Sequence, residues 1–315
     1  MPNHKKIAAI DIGSYTTRLL IAAQSADRIL KPLKRSRVYT RLAEGFRSQG
    51  ELIDPAAMQR TVQALAEFRL RAEEYEVDVF RVVCTGVVRR AKNRDAFLEH
   101  IAKTTGLKAE IISGETEASL TAQGILNSIA VGEQPYLIFD LGGGSTEFVL
   151  GREDQADMKS LEIGAAVFSE QFLHSDPALP AEIMALQRSI RKILAQAYPD
   201  RKWADHEWAM IGTGGTVTAL VALLDRVQIE EIGYEKIHGR VIVLQELQGL
   251  WSRLKDLGMA ERQKWPGLDV NRAKIIPAGL WIVMEIMDFF QSRRFKASFS
   301  DLLEGMILHY FKGEK

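Results

Sequence analysis

The apolar positions of this chain fall into short continuous runs and longer runs at helical spacing. Residues 7–12 and 19–23 are β-rich, and the small polar stretch Gly13-Ser14-Tyr15-Thr16-Thr17 between them predicts a hairpin rather than a crossover into a helix. Pro55–Glu74 carries apolar residues at helical spacing, Val79–Cys84 reads as a buried strand, and 95–104 as another helix. A helix over 115–130 follows, opened by Ser113-Gly114 with carboxylates in its first turn, where the helix dipole favours them.

The pattern then restarts. Strand 136–140, the turn Gly142-Gly143-Gly144-Ser145-Thr146 and strand 147–151 repeat the order of the N-terminus, and Asp11 and Asp140 each stand just before an Ile-Gly or Leu-Gly pair. Such internal similarity predicts two related lobes around a cleft, with the boundary near residues 125–135. Helices are expected over 186–197, 272–290 and 302–311. Met210-Ile211 precedes a third glycine turn, Gly212-Thr213-Gly214-Gly215-Thr216.

With 46% of its 315 residues apolar, the chain can bury a sizeable core and divides more naturally into two domains than one. Lys plus Arg equals Asp plus Glu at 41 each, so no global field points to DNA, membrane or polyanion, and any anion site is local. The single cysteine, Cys84, excludes an internal disulfide and has no Cys/His cluster around it, which fits a reducing cytoplasm. The apolar run after Lys5 and Lys6 ends at Asp11, too short for a signal segment or a membrane span. His4, His100, His174, His206, His238 and His309 are too scattered for a zinc spacing, and His238 reads as packing beside a glycine turn.

A turn of Gly, Ser and Thr directs several backbone N–H groups to one side and lets a phosphate approach closely. Each such turn alone is equally an ordinary tight turn. Two of them preceded by aspartate at matched positions point to phosphate chemistry. The first two run from strand to strand, unlike a dinucleotide fingerprint, and no GxxxxGK[ST] loop is present.

Ile10-Asp11-Ile12-Gly13-Ser14 with Arg18, and Asp140-Leu141-Gly142-Gly143-Gly144-Ser145-Thr146-Glu147, resemble the exopolyphosphatase and guanosine pentaphosphate phosphohydrolase family of the actin-like ATPase and sugar-kinase superfamily. Further matches are Thr85 through Arg89 to Asn93, Ser113-Gly114 with Glu117-Ala118, His238-Gly239, Arg272-Ala273, and Ser300-Asp301 with Glu304-Gly305. The resemblance implies an α/β fold of two ribonuclease-H-like, actin-like ATPase domains with an interdomain cleft. An N-terminal lobe over 1–128 would be joined by the closing helix 302–315, and a C-terminal lobe would span 129–301.

Carried over by position, the resemblance makes Glu117 the catalytic carboxylate that orients or deprotonates the attacking water, where its plain alternative is a first-turn dipole partner. Glu147 matches a further catalytic acidic position. Asp11 and Asp140 would hold Mg²⁺, often through water. Arg89 would clamp a phosphate. Gly13, Ser14, Gly142, Gly143, Gly144, Ser145, Thr146, Gly214, Gly215 and Thr216 would supply phosphate-binding groups. The implied reaction releases the terminal phosphate of polyphosphate or guanosine pentaphosphate, with no DNA or membrane partner, and a homodimer is compatible with it. An ATP-dependent kinase of the same superfamily and a non-catalytic sensor of polyphosphate or guanosine tetraphosphate are the alternatives.

Three departures bear on substrate contacts. Tyr15-Thr16 replace an Asn-Ser pair, Ala43 replaces a glycine, and Leu303 stands where an arginine often precedes Glu304-Gly305. Longer family members carry a further C-terminal helical region, so a weak grip on long polymers is expected. The basic run Lys31, Lys34, Arg35, Arg37 and Arg41 with Tyr39 reads either as a solvated face or as a guide for a long polyanion.

Overall fold

The hairpin expected at the start of the chain forms: β1 (Lys6–Ile12) pairs antiparallel with β2 (Thr17–Gln24). A computed structural model describes residues 5–25, 29–152, 155–200 and 208–313, so His4 and His206 lie outside the described residues. The chain divides into two units, Met1–Asn127 with Asp301–Lys315, and Ser128–Ser300.

The first unit continues with β3 (Leu30–Val38), α1 (Pro55–Glu74), β4 (Val79–Cys84), α2 (Gly86–Arg90), α3 (Arg94–Thr105), β5 (Ala109–Ile111) and α4 (Gly114–Leu126). Its sheet runs β3-β2-β1-β4-β5, with β4 parallel to β1 and β5 parallel to β4. The second unit holds β6 (Tyr136–Leu141), β7 (Thr146–Arg152), β8 (Gln155–Leu161), α5 (Ala165–Phe172), α6 (Pro180–Ala197) and β9 (Ala209–Thr213). It goes on through α7 (Gly215–Asp225), α8 (Tyr234–Ile237), β10 (Val241–Val243), α9 (Leu244–Leu254), α10 (Met259–Arg262), α11 (Val270–Phe289) and β11 (Arg294–Ala297). Its sheet runs β10-β11-β9-β6-β7-β8. Read from β8, the order β8-β7-β6-β9-β11 repeats that of the first unit, and β10 is an added antiparallel edge. The chain then returns to the first unit as α12 (Leu302–Gly313).

Central β1 and β6 are buried along almost their whole length, which is why they read as continuous apolar runs. Edge strand β3 is protected differently, by Lys31, Pro32 and Lys34, a composition that blunts edge pairing and hides the strand from a hydrophobic reading. The basic run is thus largely a strand. The third glycine turn differs from the other two, since β9 passes through Gly214 directly into α7. The helix expected over 115–130 stops at Leu126, where Asn127 caps it as the chain leaves the first unit.

Leu302, Leu303, Met306 and Ile307 of α12 share one core with Ile7, Ala9, Leu20 and Ala22. The two crossing helices can approach because of glycine. A Cβ on Gly305 would overlap the Leu120 carbonyl of α4, and one on Gly124 would overlap the Asp301 carbonyl. Leu303, at the position of the absent arginine, is 2% exposed in this core.

Arg262 is buried in the second unit for a backbone reason. Pro277 lies inside α11 and has no N–H, so the carbonyl four residues earlier, Ala273, loses its helical donor. Arg262 Nε donates to that oxygen at 3.0 Å, Nη1 to Leu257 O at 2.6 Å and Nη2 to Asp176 Oδ1 at 2.8 Å. The overall neutrality also hides an asymmetry: the first unit carries 22 Lys and Arg against 18 Asp and Glu, the second 19 against 23. None of the described helices is long and apolar enough to cross a membrane.

Candidate functional site

In the first unit the polar residues gather where β1 turns into β2. Asp11 stands in register with Arg18, whose Nε and Nη2 donate to Asp11 Oδ2 at 3.1 and 2.8 Å, and Thr85 Oγ1 donates to Oδ1 at 3.1 Å. Arg18 Nη1 reaches on to Asp301, the residue that caps α12 through Leu303 N. Asp11 is 5% exposed; burial pushes its carboxyl above the usual range, against the pull of Arg18. Alongside, Arg35 of β3 pairs with Glu304, which accepts from Asp301 N at 3.0 Å and so completes a capping box.

The turn after Asp11 closes with Gly13 N donating to Thr16 O at 3.0 Å. Its next two carbonyls are claimed by Ala43 N at 2.8 Å and Arg41 N at 3.0 Å, while the Ser14 N–H donates to no protein acceptor among the described residues. Ser14 Oγ accepts from Val87 N at 2.9 Å, and Gly86, at φ +47°, must be glycine because a Cβ would overlap that oxygen. Ser14 thereby anchors α2. Arg89, on α2, donates from Nη1 to Ile112 O and to Glu117 Oε2, both at 3.0 Å. Glu117 is buried, 7% exposed, in the first turn of a helix capped by Ser113, whose Oγ accepts from Thr116 N at 3.0 Å. Glu115 is exposed. Arg89, expected as a phosphate clamp, thus holds the Glu117 carboxylate.

The second unit repeats the hairpin with a different charge. Asp140 stands in register with Glu147, so the position held by Arg18 in the first hairpin is a second carboxylate here. Both are buried, and Glu147 Oε1 accepts from Ser160 Oγ at 2.7 Å. The turn closes by Gly142 N to Ser145 O at 3.0 Å. The Gly142 and Gly143 carbonyls then accept from Ala165 N, Ala166 N and Val167 N at 3.0, 3.0 and 3.1 Å, capping α5. Gly164 packs so closely on Gly143 and Gly144 that any Cβ there would overlap them. With the carbonyls turned into α5, the N–H groups of Gly143, Gly144 and Ser145 donate to no protein acceptor among the described residues, an anion-binding nest.

Gly214, at φ +98°, lies against Asp140, and the guanidinium of buried Arg272 lies over Gly215 at the start of α7. Two expected phosphate ligands turn inward. Thr146 Oγ1 donates to Ile163 O, and Thr216 packs against Gly279 of α11. Arg18, Asp301 and Arg272 belong to quoted motifs but received no role from the sequence. For Arg18 a signal existed, because a hairpin closing at Gly13–Thr16 places 18 opposite 11.

The donor sets test a divalent cation differently. Asp140 and Glu147 offer carboxylate oxygens from adjacent strands, the ligands a hard cation prefers. Asp11 has both oxygens hydrogen-bonded and its charge countered by Arg18, which weakens its pull on a cation. No group of three or more His, Cys, Asp or Glu is arranged to hold a metal among the described residues, so water and substrate must complete any shell. A cavity of about 290 Å³ lined by Trp208, Met210, Phe295 and Lys296 contains none of these residues.

The Ppx/GppA phosphatase family model matches residues 20–314. Exopolyphosphatase 2 of Mycobacterium tuberculosis is 30% identical over 321 residues, covering 96% of this chain and 98% of its own. The Ppx/GppA family member of Aquifex aeolicus superposes with a TM-score of 0.81 at 28% identity over 99% of both chains. An exopolyphosphatase from Cytophaga hutchinsonii shares the fold, with a TM-score of 0.90 at 24% identity over 98% of both. By the match of nearly its whole length, in sequence and in the doubled sheet, the chain belongs to the Ppx/GppA phosphatase family.

Proposed function

We propose that this chain is a cytoplasmic, Mg²⁺-dependent exopolyphosphatase that removes the terminal phosphate of inorganic polyphosphate. The observation that carries the reading is the buried Glu117 carboxylate, held 3.0 Å from Arg89 on a short helix that Ser14 anchors to the first phosphate turn. Glu117 takes the proton of a water as its oxygen attacks the terminal phosphorus. The bond to the bridging oxygen breaks, leaving orthophosphate and a chain one phosphate shorter. Arg89 holds the carboxylate in one orientation. The N–H groups of the nest at Gly143, Gly144 and Ser145 serve phosphate oxygens, which need positioning and charge neutralisation more than covalent help. Asp140 and Glu147 would hold Mg²⁺, which when bound would supply neutralisation of phosphate charge; Asp11, already countered by Arg18, would attract it less.

Phosphate release from long polyphosphate, tripolyphosphate, guanosine pentaphosphate and ATP, each with Mg²⁺, tests this directly. Release from polyphosphate that stops on adding excess chelator is expected. Release from none of them, or release undiminished by chelator, overturns the reading.

A further inference from the structure

Residues directly opposite one another on antiparallel neighbours project from the same face of a sheet, so each hairpin and the strand beyond it set three side chains in a row. Across β1, β2 and β3 the row is Asp11, Arg18 and Arg37. Across β6, β7 and β8 the matching row is Asp140, Glu147 and Ser160. An acid followed by two cations in the first unit thus becomes two acids followed by a hydroxyl in the second. Of these two rows, only the second presents adjacent carboxylates to a cation.

Ser160 Oγ donates to Glu147 Oε1 at 2.7 Å, a length typical of a hydroxyl bound to a charged carboxylate. The strands that carry the row are held from their other face. Phe139, Leu141 and Phe148, which alternate with the two acids, belong to the core of the unit, and Leu161 packs against it. On the other side of Ser160, Lys159 Nζ donates to Ala197 O at 2.7 Å. With both neighbours anchored and a single side-chain torsion to set, the hydroxyl keeps its place beside Glu147, which is 3% exposed. Oε1 is thereby engaged, and a cation that gripped both oxygens of Glu147 would have to draw it off the hydroxyl. That matters differently to different cations. Mg²⁺ is small and demands near-ideal octahedral geometry, which the narrow bite of one carboxylate distorts, whereas Ca²⁺ is larger and accepts bidentate carboxylates.

On the reading of Asp140 and Glu147 as cation ligands, on which this rests, we infer that Ser160 is a positioning residue that sets the choice of cation. By engaging Oε1 it opposes a two-oxygen grip on Glu147, which suits Mg²⁺ and disfavours Ca²⁺. The hydroxyl touches neither substrate nor water in the reaction; it acts through Glu147.

The test uses the full chain as wild type, Ser160→Ala and Ser160→Thr. Each protein, stripped of metal, is titrated calorimetrically with Mg²⁺ and with Ca²⁺, and its metal-free melting midpoint is recorded. Losing an outer-shell partner typically changes metal affinity by about 10–100-fold, so Ser160→Ala should move the ratio of the Mg²⁺ and Ca²⁺ Kd values roughly tenfold in favour of Ca²⁺. Ca²⁺ should also inhibit Mg²⁺-supported phosphate release at a correspondingly lower concentration. Ser160→Thr, which keeps the hydroxyl, should return both measures toward wild type. A hydroxyl that only supports the strand would instead lower the metal-free midpoint and weaken both cations together. An unchanged ratio in Ser160→Ala, or a parallel loss for the two cations, overturns the role given to Ser160 while leaving Asp140 and Glu147 as ligands. Binding of neither cation by the wild-type chain overturns the ligand reading itself, and the role of Ser160 with it.

Discussion

Glu117 is buried in the first turn of α4 with a guanidinium on one oxygen, while Glu115, two residues before it, faces solvent. Replacing Glu117 by Gln keeps the size and removes the basic oxygen. General-base assistance is typically worth about 10²–10⁴ in rate, so turnover should fall at least about 100-fold with polyphosphate binding retained. Glu115→Gln should change little. The reverse pattern would move the water-activating role elsewhere. His238 makes a second residue-scale prediction. It accepts from Phe299 N at Nδ1, 3.3 Å, lies 3.4 Å from Ser128 O at Nε2, and stacks on Tyr234 at 4.2 Å. Burial lowers its pKa; the Ser128 carbonyl opposes this and Lys296 reinforces it. As the pH falls through about 6.5 the unfolded chain takes up the proton first, so stability held above that value is lost below it. Melting midpoints should therefore drop between about pH 7.5 and 5.5, and drop less in His238→Asn, whose amide oxygen accepts without titrating. Parallel slopes would count against it. At this scale the sequence names residues but not partners. Asp11 and Asp140 look equivalent along the chain, and only the register shows one facing an arginine and the other a glutamate.

Among the elements, α11 offers a closed test of backbone accounting. Arg262→Met leaves the Ala273 and Leu257 carbonyls without their donor and should cost about 1–3 kcal/mol. Pro277→Ala restores a helical N–H to Ala273, so the double variant should recover part of that loss. Thermal or denaturant melts of the four proteins give the coupling; strict additivity would show that Arg262 does not stand in for the missing amide. Elements with strong periodicity or continuous apolar runs were legible: α1 and β4 have the bounds their patterns predict. Edge strands were not. β3 is rich in lysine and arginine, β8 exposes its first half, and β10, although apolar, has only three residues. The start of α6 at Pro180 was missed for another reason, since its first turn is set by proline and by Glu182 accepting from Leu179 N at 2.9 Å rather than by apolar spacing.

On the scale of the whole molecule, the doubled architecture was legible because each unit opens with the same hairpin and an aspartate at the same place, and the sheet orders bear out the two-unit α/β fold. The apolar face that α12 covers was not legible, because nothing along residues 1–127 says which distant helix completes it. Its dependence can be measured. A fragment spanning 128–300 should melt cooperatively alone, whereas 1–300 leaves Ile7, Ala9, Leu20 and Ala22 uncovered and should bind an apolar dye and aggregate. A well-behaved 1–300 fragment would contradict this. The interleaving matters most during synthesis. At about 5–20 residues per second, the ribosome needs on the order of ten to thirty seconds to make the intervening unit after the first sheet has emerged. Throughout that interval the earliest strands wait with one side open, so the nascent chain should engage a chaperone at its first hundred residues and release it only when the last helix leaves the exit tunnel.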